Sequence, residues 1–180
     1  KDGKFGIEDT VHNITIVPWE FSEIKFKDLD SLDRCCVRVK DDKGLFGYYD
    51  IDSQNEVTVC KYDTACVFID HLAWIKKDGK WGLLDENREV IVEPKYDKFE
   101  HFKCGRALVK KNAMYGFIDN VGKERIKLEY SNAFSFSEDC AKVRKGGYWG
   151  YVNVYGKIIG HLEYENLGNF HEDFAKAKDK

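Results

Sequence analysis

Five histidines and six cysteines are the residues of this sequence that could do acid–base, nucleophilic or metal chemistry. His12, His71, His101, His161 and His171 fall in five different places relative to the internal period described below. His101 and Cys104, three residues apart, could begin a zinc site, but zinc takes three or four protein ligands and no second pair is spaced to complete one. They read as surface loop residues, and no metal, cofactor or catalytic residue is expected. Cys35, Cys36, Cys60, Cys66, Cys104 and Cys140 contain no C-x-x-C pair, and only Cys36 and Cys140 share a repeat position. They read as free thiols packed as small hydrophobes, which leans toward a reducing, cytoplasmic compartment.

Two charged columns recur with the period. Asp50, Asp85 and Asp119, continued by Asn153, could form a carboxylate site; at strand ends, these residue types instead cap turns. A basic column, Arg38/Lys40, Lys76/Lys77, Lys110/Lys111, Arg144/Lys145 and Lys176/Lys178, falls on the first strand of each unit. Aligned by neighbouring units, it would make a stripe able to meet an acidic partner or polymer. The structural alternative is a solvated edge, where lysine discourages strand-to-strand aggregation. Residues that break the repeat are where a specific site would be written, because the scaffold does not require them. Trp74 stands where other copies have Leu108, Lys142 and Lys176, and Trp19 lies in an irregular first copy. Either ring, if exposed, would be a contact residue; the alternative is adaptation to a local packing neighbour. The candidate contact residues are therefore Trp74, Trp19, Lys76, Lys110 and Arg144.

Composition limits the function classes. Lys and Arg number 29 against 32 Asp and Glu, a balance that gives no push toward nucleic acid or an anionic membrane surface. No apolar run approaches the roughly 20 residues of a membrane span. The sequence opens on KDGKFG, inside the repeat pattern and without an initiator Met, so processing upstream is the expectation and secretion stays open. No phosphate-binding glycine loop, nucleophile elbow or HExxH is present.

The elements that must position these residues repeat. Phe5-Gly6, Phe46-Gly47, Trp81-Gly82, Tyr115-Gly116 and Trp149-Gly150 place glycines 41, 35, 34 and 34 residues apart. Tyr62, Tyr96, Tyr130 and Tyr164 keep the same step, as do Phe68, Phe102, Phe136 and Phe170, and Ala73, Ala107, Ala141 and Ala175. Within a unit, residues alternate with period two, as in Ile126, Leu128 and Tyr130, the mark of a strand. YGFID at 115–119 is apolar on both faces, as a central strand is. Asp78-Gly79-Lys80 predicts a hairpin between the first and second strands, and Gly122 and Gly156 offer positive-φ positions between the second and third. Arg88 holds that place in the second full copy, so its turn is expected to differ or to use Asn87.

The run KDGKWGLLDENREVIVEPKYDKFEHF at 77–102, and GYWGYVNVYGKIIGHLEY at 147–164, resemble the WG-containing (KWG) repeat family. The resemblance covers nearly the whole chain, loosely over residues 1–35. It implies bacterial repeat proteins that mediate binding, and it supplies no catalytic residues.

The expectation is an all-β single repeat domain over 1–180: about five β-meander repeats of roughly 34 residues, split near 35, 72, 106, 140 and 174, with a degenerate first unit. A unit of three short strands cannot bury its own apolar face, so units must pack on one another. The aromatic beside each glycine is expected to fill the layer between them, and the glycine to admit a close neighbour. Because the chain begins on a second strand and ends on a first, the termini are expected to share one unit and close a β-propeller-like ring. An open β-solenoid-like stack of hairpins is the alternative. The functional expectation is a non-enzymatic binding scaffold for a protein or polymer. The alternatives are a carbohydrate or cell-envelope module, resting on exposed tryptophan, and an enzyme whose site the sequence does not display.

Overall fold

A computed structural model describes residues 3–25, 36–51, 53, 55–85, 87, 89–168 and 177–178. The chain divides into two compact units, Lys1–Pro94 and Lys95–Lys180. Every element among the described residues is a β-strand, and there is no helix.

In the first unit, β1 (Phe5–Asp9) and β2 (Ile14–Phe21) pair antiparallel. Next comes a four-stranded antiparallel meander of β3 (Glu23–Lys25), β4 (Cys36–Lys40), β5 (Phe46–Asp50) and β6 (Asn55–Tyr62). A second follows, with β7 (Thr64–Ala65), β8 (Ala73–Lys77), β9 (Lys80–Leu84) and β10 (Val90–Tyr96), whose last two residues pass the unit boundary. The second unit holds two further meanders. One has β11 (Lys98–Phe99), β12 (Ala107–Lys111), β13 (Met114–Ile118) and β14 (Glu124–Tyr130); the other has β15 (Asn132–Ala133), β16 (Cys140–Lys145), β17 (Tyr148–Asn153) and β18 (Ile158–Tyr164). A pair, β19 (Asn166–Leu167) and β20 (Ala177–Lys178), ends the chain.

Each full sheet thus has four strands where the sequence showed three. The extra strand is two or three residues long and begins one residue after the previous sheet ends. That one residue fixes the step. The N–H of Ser22, Asp63, Asp97, Ser131 and Glu165 donates to the carbonyl of Lys40, Lys76, Lys110, Arg144 and Lys178, at 2.7–3.1 Å. The fourth strand is so short that 34 residues suffice for a four-stranded blade, the element of β-propellers. The sheets are not closed: among the described residues β20 pairs with β19 and β1 with β2, in separate two-stranded sheets, and the expected pairing of last strand with first is not among them. The last first-type strand takes the same partner as its predecessors, the short strand just before it in sequence.

Single sheets this small bury little, and the core lies between successive sheets. Tyr48 and Tyr62 of the β3–β6 sheet pack with Ala65, Phe68, Ala73, Ile75 and Leu84 around the next. In the second unit Leu108, Phe117, Ile126 and Tyr130 pack with Ala133, Phe136, Ala141, Val143 and Val152. Ring contacts recur with the period: Tyr48–Phe68 at 5.0 Å and Phe117–Phe136 at 4.8 Å, both edge-to-face. Ala73, Ala107 and Ala141 are fully buried, whereas Phe170 and Ala175 lie outside the described residues.

The glycine column is explained by register. Tyr115 pairs with Tyr130 and Phe117 with Ile126, so the one residue between them on β13, Gly116, faces three on β14, and the surplus bulges across it. A Cβ there would lie 2.6 Å from the Ile126 carbonyl oxygen and 2.8 Å from the Leu128 nitrogen. The aromatic before the glycine does not fill the core as expected. Phe46, Trp81, Tyr115 and Trp149 are half-buried, because each sits beside the hairpin turn at the margin of its sheet. The buried positions are the two after the glycine: Tyr48 and Tyr49, Leu83 and Leu84, Phe117 and Ile118, Tyr151 and Val152.

Candidate functional site

Strand alternation and a tight turn bring at least one cation over each of these aromatics, and a second, Arg38 and Lys142, over Phe46 and Trp149. The first hairpins turn through left-handed pairs, Asp78 and Gly79 (φ 51° and 76°), Asn112 and Ala113 (50° and 65°), and Gly146 and Gly147 (60° and 90°). Beside these turns, and the longer one after Lys40, four pairs stand directly across the ladder: Lys40 with Phe46, Lys76 with Trp81, Lys110 with Tyr115, and Arg144 with Trp149. Their cationic groups lie 5.0, 5.5, 4.8 and 5.6 Å from the ring centroids. Such contacts contribute about 0.5–1 kcal/mol each at exposed sites, and they hold a flexible cation at a fixed height over an apolar plate.

Three of the five residues singled out in the sequence, Lys76, Lys110 and Arg144, are therefore members of one recurrent arrangement. The tryptophans are not. Trp74 is only 2% exposed, with Leu83 opposite it, so its ring is core and is not offered to a partner. Trp19 is half-buried; its ring covers Gly6, and its Nε1 donates to Glu8 Oε1 at 3.0 Å. Lys176 lies outside the described residues.

The acidic column caps turns. Asp119 Oδ1 accepts the N–H groups of Val121 and Lys123 at 3.1 and 2.8 Å, and Asn153 Oδ1 accepts those of Tyr155 and Lys157 at 3.0 and 2.9 Å. Asp50 accepts from Ser53, and Asp85 from Glu89. Asp9, three residues after Gly6, is a further member that the irregular first copy hid; it accepts from Val11 and His12, and its other oxygen meets His12 Nδ1 at 2.6 Å. Burial would raise the Asp119 carboxyl, but the Arg125 guanidinium at 2.6 Å and the two N–H groups outweigh it and hold the pKa below the ordinary value. Gly122 and Gly156 take positive φ as the turn pattern requires (78° and 82°), and Arg88 lies outside the described residues.

The remaining chemical candidates are scattered. His71 and His101 are exposed, His101 with its ring edge on Phe99 at 5.4 Å, and His161 is exposed on β18; His171 and Cys35 lie outside the described residues. Cys66 and Cys104 are free thiols. Burial pushes the Cys66 thiol up, against the opposing pull of Arg38, so it stays protonated and a poor nucleophile. Burial likewise raises Tyr62, Tyr130 and Tyr151, and pushes Tyr96 up to about 12, with nearby Glu124 adding to it. Each of these shifts keeps the group neutral.

One exposed aromatic was missed. Phe134 follows β15 where other copies have Cys66, Glu100 and Gly168, and it is 46% exposed. Its ring lies 5.9 Å from Trp149, and Lys142 Nζ sits over both rings, at 4.4 and 5.1 Å. Beside it the Ser135 hydroxyl donates to the Glu100 carboxylate. The sequence signal was present, an aromatic at a position where no other copy has one.

Four consecutive segments, 46–81, 81–114, 115–149 and 149–180, match the WG containing repeat family. The chain belongs to that family. The recurrent plate and cation are built on its defining aromatic–glycine pair, so the WG pair sets both the bulge and the half-exposed ring. No match was found among curated proteins. Among solved structures, Kluyveromyces lactis Hsv2 is similar at 11% identity over 88% of this chain and 56% of that one, with a TM-score of 0.46. BamB from Moraxella catarrhalis is 14% identical over 78% and 52%, with a TM-score of 0.39. The computationally designed Ika8 protein is 14% identical over 99% and 63%, with a TM-score of 0.42. This WG-repeat chain spans less than two-thirds of the length of each. The repeated four-stranded antiparallel meanders themselves make the fold a β-propeller-like repeat.

Proposed function

We propose that this protein is a non-enzymatic binding scaffold that engages an acidic protein or polymer through the cation–aromatic pairs at its hairpin ends. The observation that carries this reading is the recurrence, in four sheets, of one Lys or Arg held over a half-exposed ring. Repeating the same small contact within each unit supplies many weak elements whose contributions combine, as in other repeat proteins. Burial holds the Cys66 thiol protonated, so it is a poor nucleophile. Labelled polyglutamate is a suitable probe. Replacing Lys110 and Arg144 together by Gln should weaken its binding about tenfold, roughly 0.7 kcal/mol for each cation, and reduce its sensitivity to salt. Unchanged affinity in the double variant, or binding indifferent to salt, would remove the basis for this reading.

A further inference from the structure

Arg38, Trp74, Leu108 and Lys142 hold one repeat position, each standing opposite the residue that follows the WG glycine. At two of these positions the side chain reaches across to the short strand of the next sheet. Arg38 donates from Nη1 to the Ala65 carbonyl at 2.9 Å, and Lys142 from Nζ to the Leu167 carbonyl at 3.1 Å. Ala133 is the counterpart of Ala65 and Leu167 on the sheet that follows Leu108. Leucine is shorter than lysine or arginine and has no donor, so nothing from this position can bond the Ala133 carbonyl. A cavity of about 360 Å³ lies there, within the size range of ligand pockets. Its walls include Leu108, Tyr115, Ala133 and Phe134, with Lys98 and Lys110 at its border. Lys142 Nζ lies over the Phe134 ring, 4.4 Å from its centroid. Two lysines thus line a cavity with an apolar side, a third lies over its Phe134 wall, and its one lining carboxylate, Glu100, already accepts from Ser135.

We propose that this cavity binds an acidic peptide segment, seating one apolar side chain over Leu108 and setting carboxylates against Lys98, Lys110 and Lys142. The proposal rests on the scaffold reading and names its partner class. An apolar floor inside a basic rim selects a ligand that is both acidic and apolar. A peptide also brings the N–H donors that an anionic polysaccharide lacks in number, and Leu108, unlike Arg38 and Lys142, offers no donor to the carbonyl beside it.

The test compares the full chain's affinity for a labelled peptide alternating Glu and Leu with that for polyglutamate of equal charge. The Glu/Leu peptide should bind about tenfold more tightly. Leu108→Trp places in the cavity a residue type that the same position already holds at Trp74, and it should reduce the Glu/Leu peptide to the polyglutamate level. Phe134→Ser, at an exposed position outside the core, should do the same and covers the case in which Leu108→Trp fails to fold. Equal affinity for the two probes, or wild-type preference retained in a folded variant, overturns the proposal and leaves the scaffold reading standing. Tighter binding of a heparin fragment than of the Glu/Leu peptide also overturns it, assigning the lysines to a sulfated polysaccharide. Absence of binding to every acidic probe overturns both.

Discussion

Replacing Gly116 by alanine tests the link between register and composition on which the fold rests. The new methyl would lie 2.6 Å from the Ile126 carbonyl oxygen, 0.8 Å inside the 3.4 Å at which ordinary contact begins, and 2.8 Å from the Leu128 nitrogen and the Lys127 carbonyl carbon. All three atoms are backbone, so no rotamer change relieves the overlap, and β14 must move away from β13. Overpacking of this kind costs typically 1–3 kcal/mol, and three simultaneous contacts place it near the upper end, about 3. Loss of glycine's freedom in the unfolded chain returns about 0.4–1 kcal/mol, leaving a net destabilisation of about 2–3 kcal/mol.

The assay is urea unfolding followed by tryptophan fluorescence and circular dichroism, which must give coincident transitions for the free energy to be defined. With a denaturant slope of about 2 kcal/mol per molar, the midpoint should fall by about 1 M. Gly79→Ala is the contrasting substitution. Gly79 has nothing within 4 Å of its missing Cβ but takes φ 76°, so only the backbone conformation penalises alanine there, by about 1–2 kcal/mol. A Gly116→Ala midpoint within about 0.2 M of wild type, or a smaller effect than Gly79→Ala, would show that the bulge yields freely and that the glycine column is not there to admit it.

Two further outcomes follow from the packing and the turns. Phe117→Ala should cost about 3–5 kcal/mol, since that ring is fully buried against Phe136. Trp149→Ala should cost about 1–2 kcal/mol, a half-buried share of a large side chain; the reverse order in denaturation midpoints would return the core to the WG aromatic. Asp119→Asn should keep its turn, because Asn153 makes the same two bonds, and lose less than about 1 kcal/mol near neutral pH with the Arg125 pair. The folded pKa of Asp119 lies below the unfolded value of about 3.9, so its stabilisation is full above about pH 5 and is lost as pH falls below about 4. The stability gap between wild type and Asp119→Asn should therefore close on acidification, and a gap constant from neutral pH to about pH 3 would contradict this.

What was legible in the sequence is what packing repeats. Tyr62, Tyr96 and Tyr130 are 2–3% exposed and Ala73, Ala107 and Ala141 are fully buried, because similar sheets in similar contact demand the same side chain each time. Asp119 and Asn153 were readable as turn caps, since the residue type and its place at a strand end carry the mechanism. The short strands were not legible: Lys98–Phe99 and Asn132–Ala133 are two residues each, too short for an alternating pattern to show. The half-burial of Trp81 and Trp149 was hidden for a different reason. Residue type favours the core for both, and only the distance to the hairpin turn, one residue beyond Lys80 and Tyr148 at the strand start, places them at the sheet margin.

Departure from a repeat therefore has to be weighed against what the position does in its sister copies. Trp74 departs by being larger, and its neighbours absorb it; the substitution is a packing solution and presents nothing outward. Leu108 departs at the same position by being shorter and without a donor, where Arg38 and Lys142 span to the next sheet. A residue that fills its place leaves no room for a ligand, whatever its chemistry. A residue that withdraws from its place leaves a volume that the fold itself does not fill. Aromaticity drew attention to Trp74, but the geometry moves it to Leu108 and to Phe134, the exposed ring at the edge of the space that Leu108 leaves.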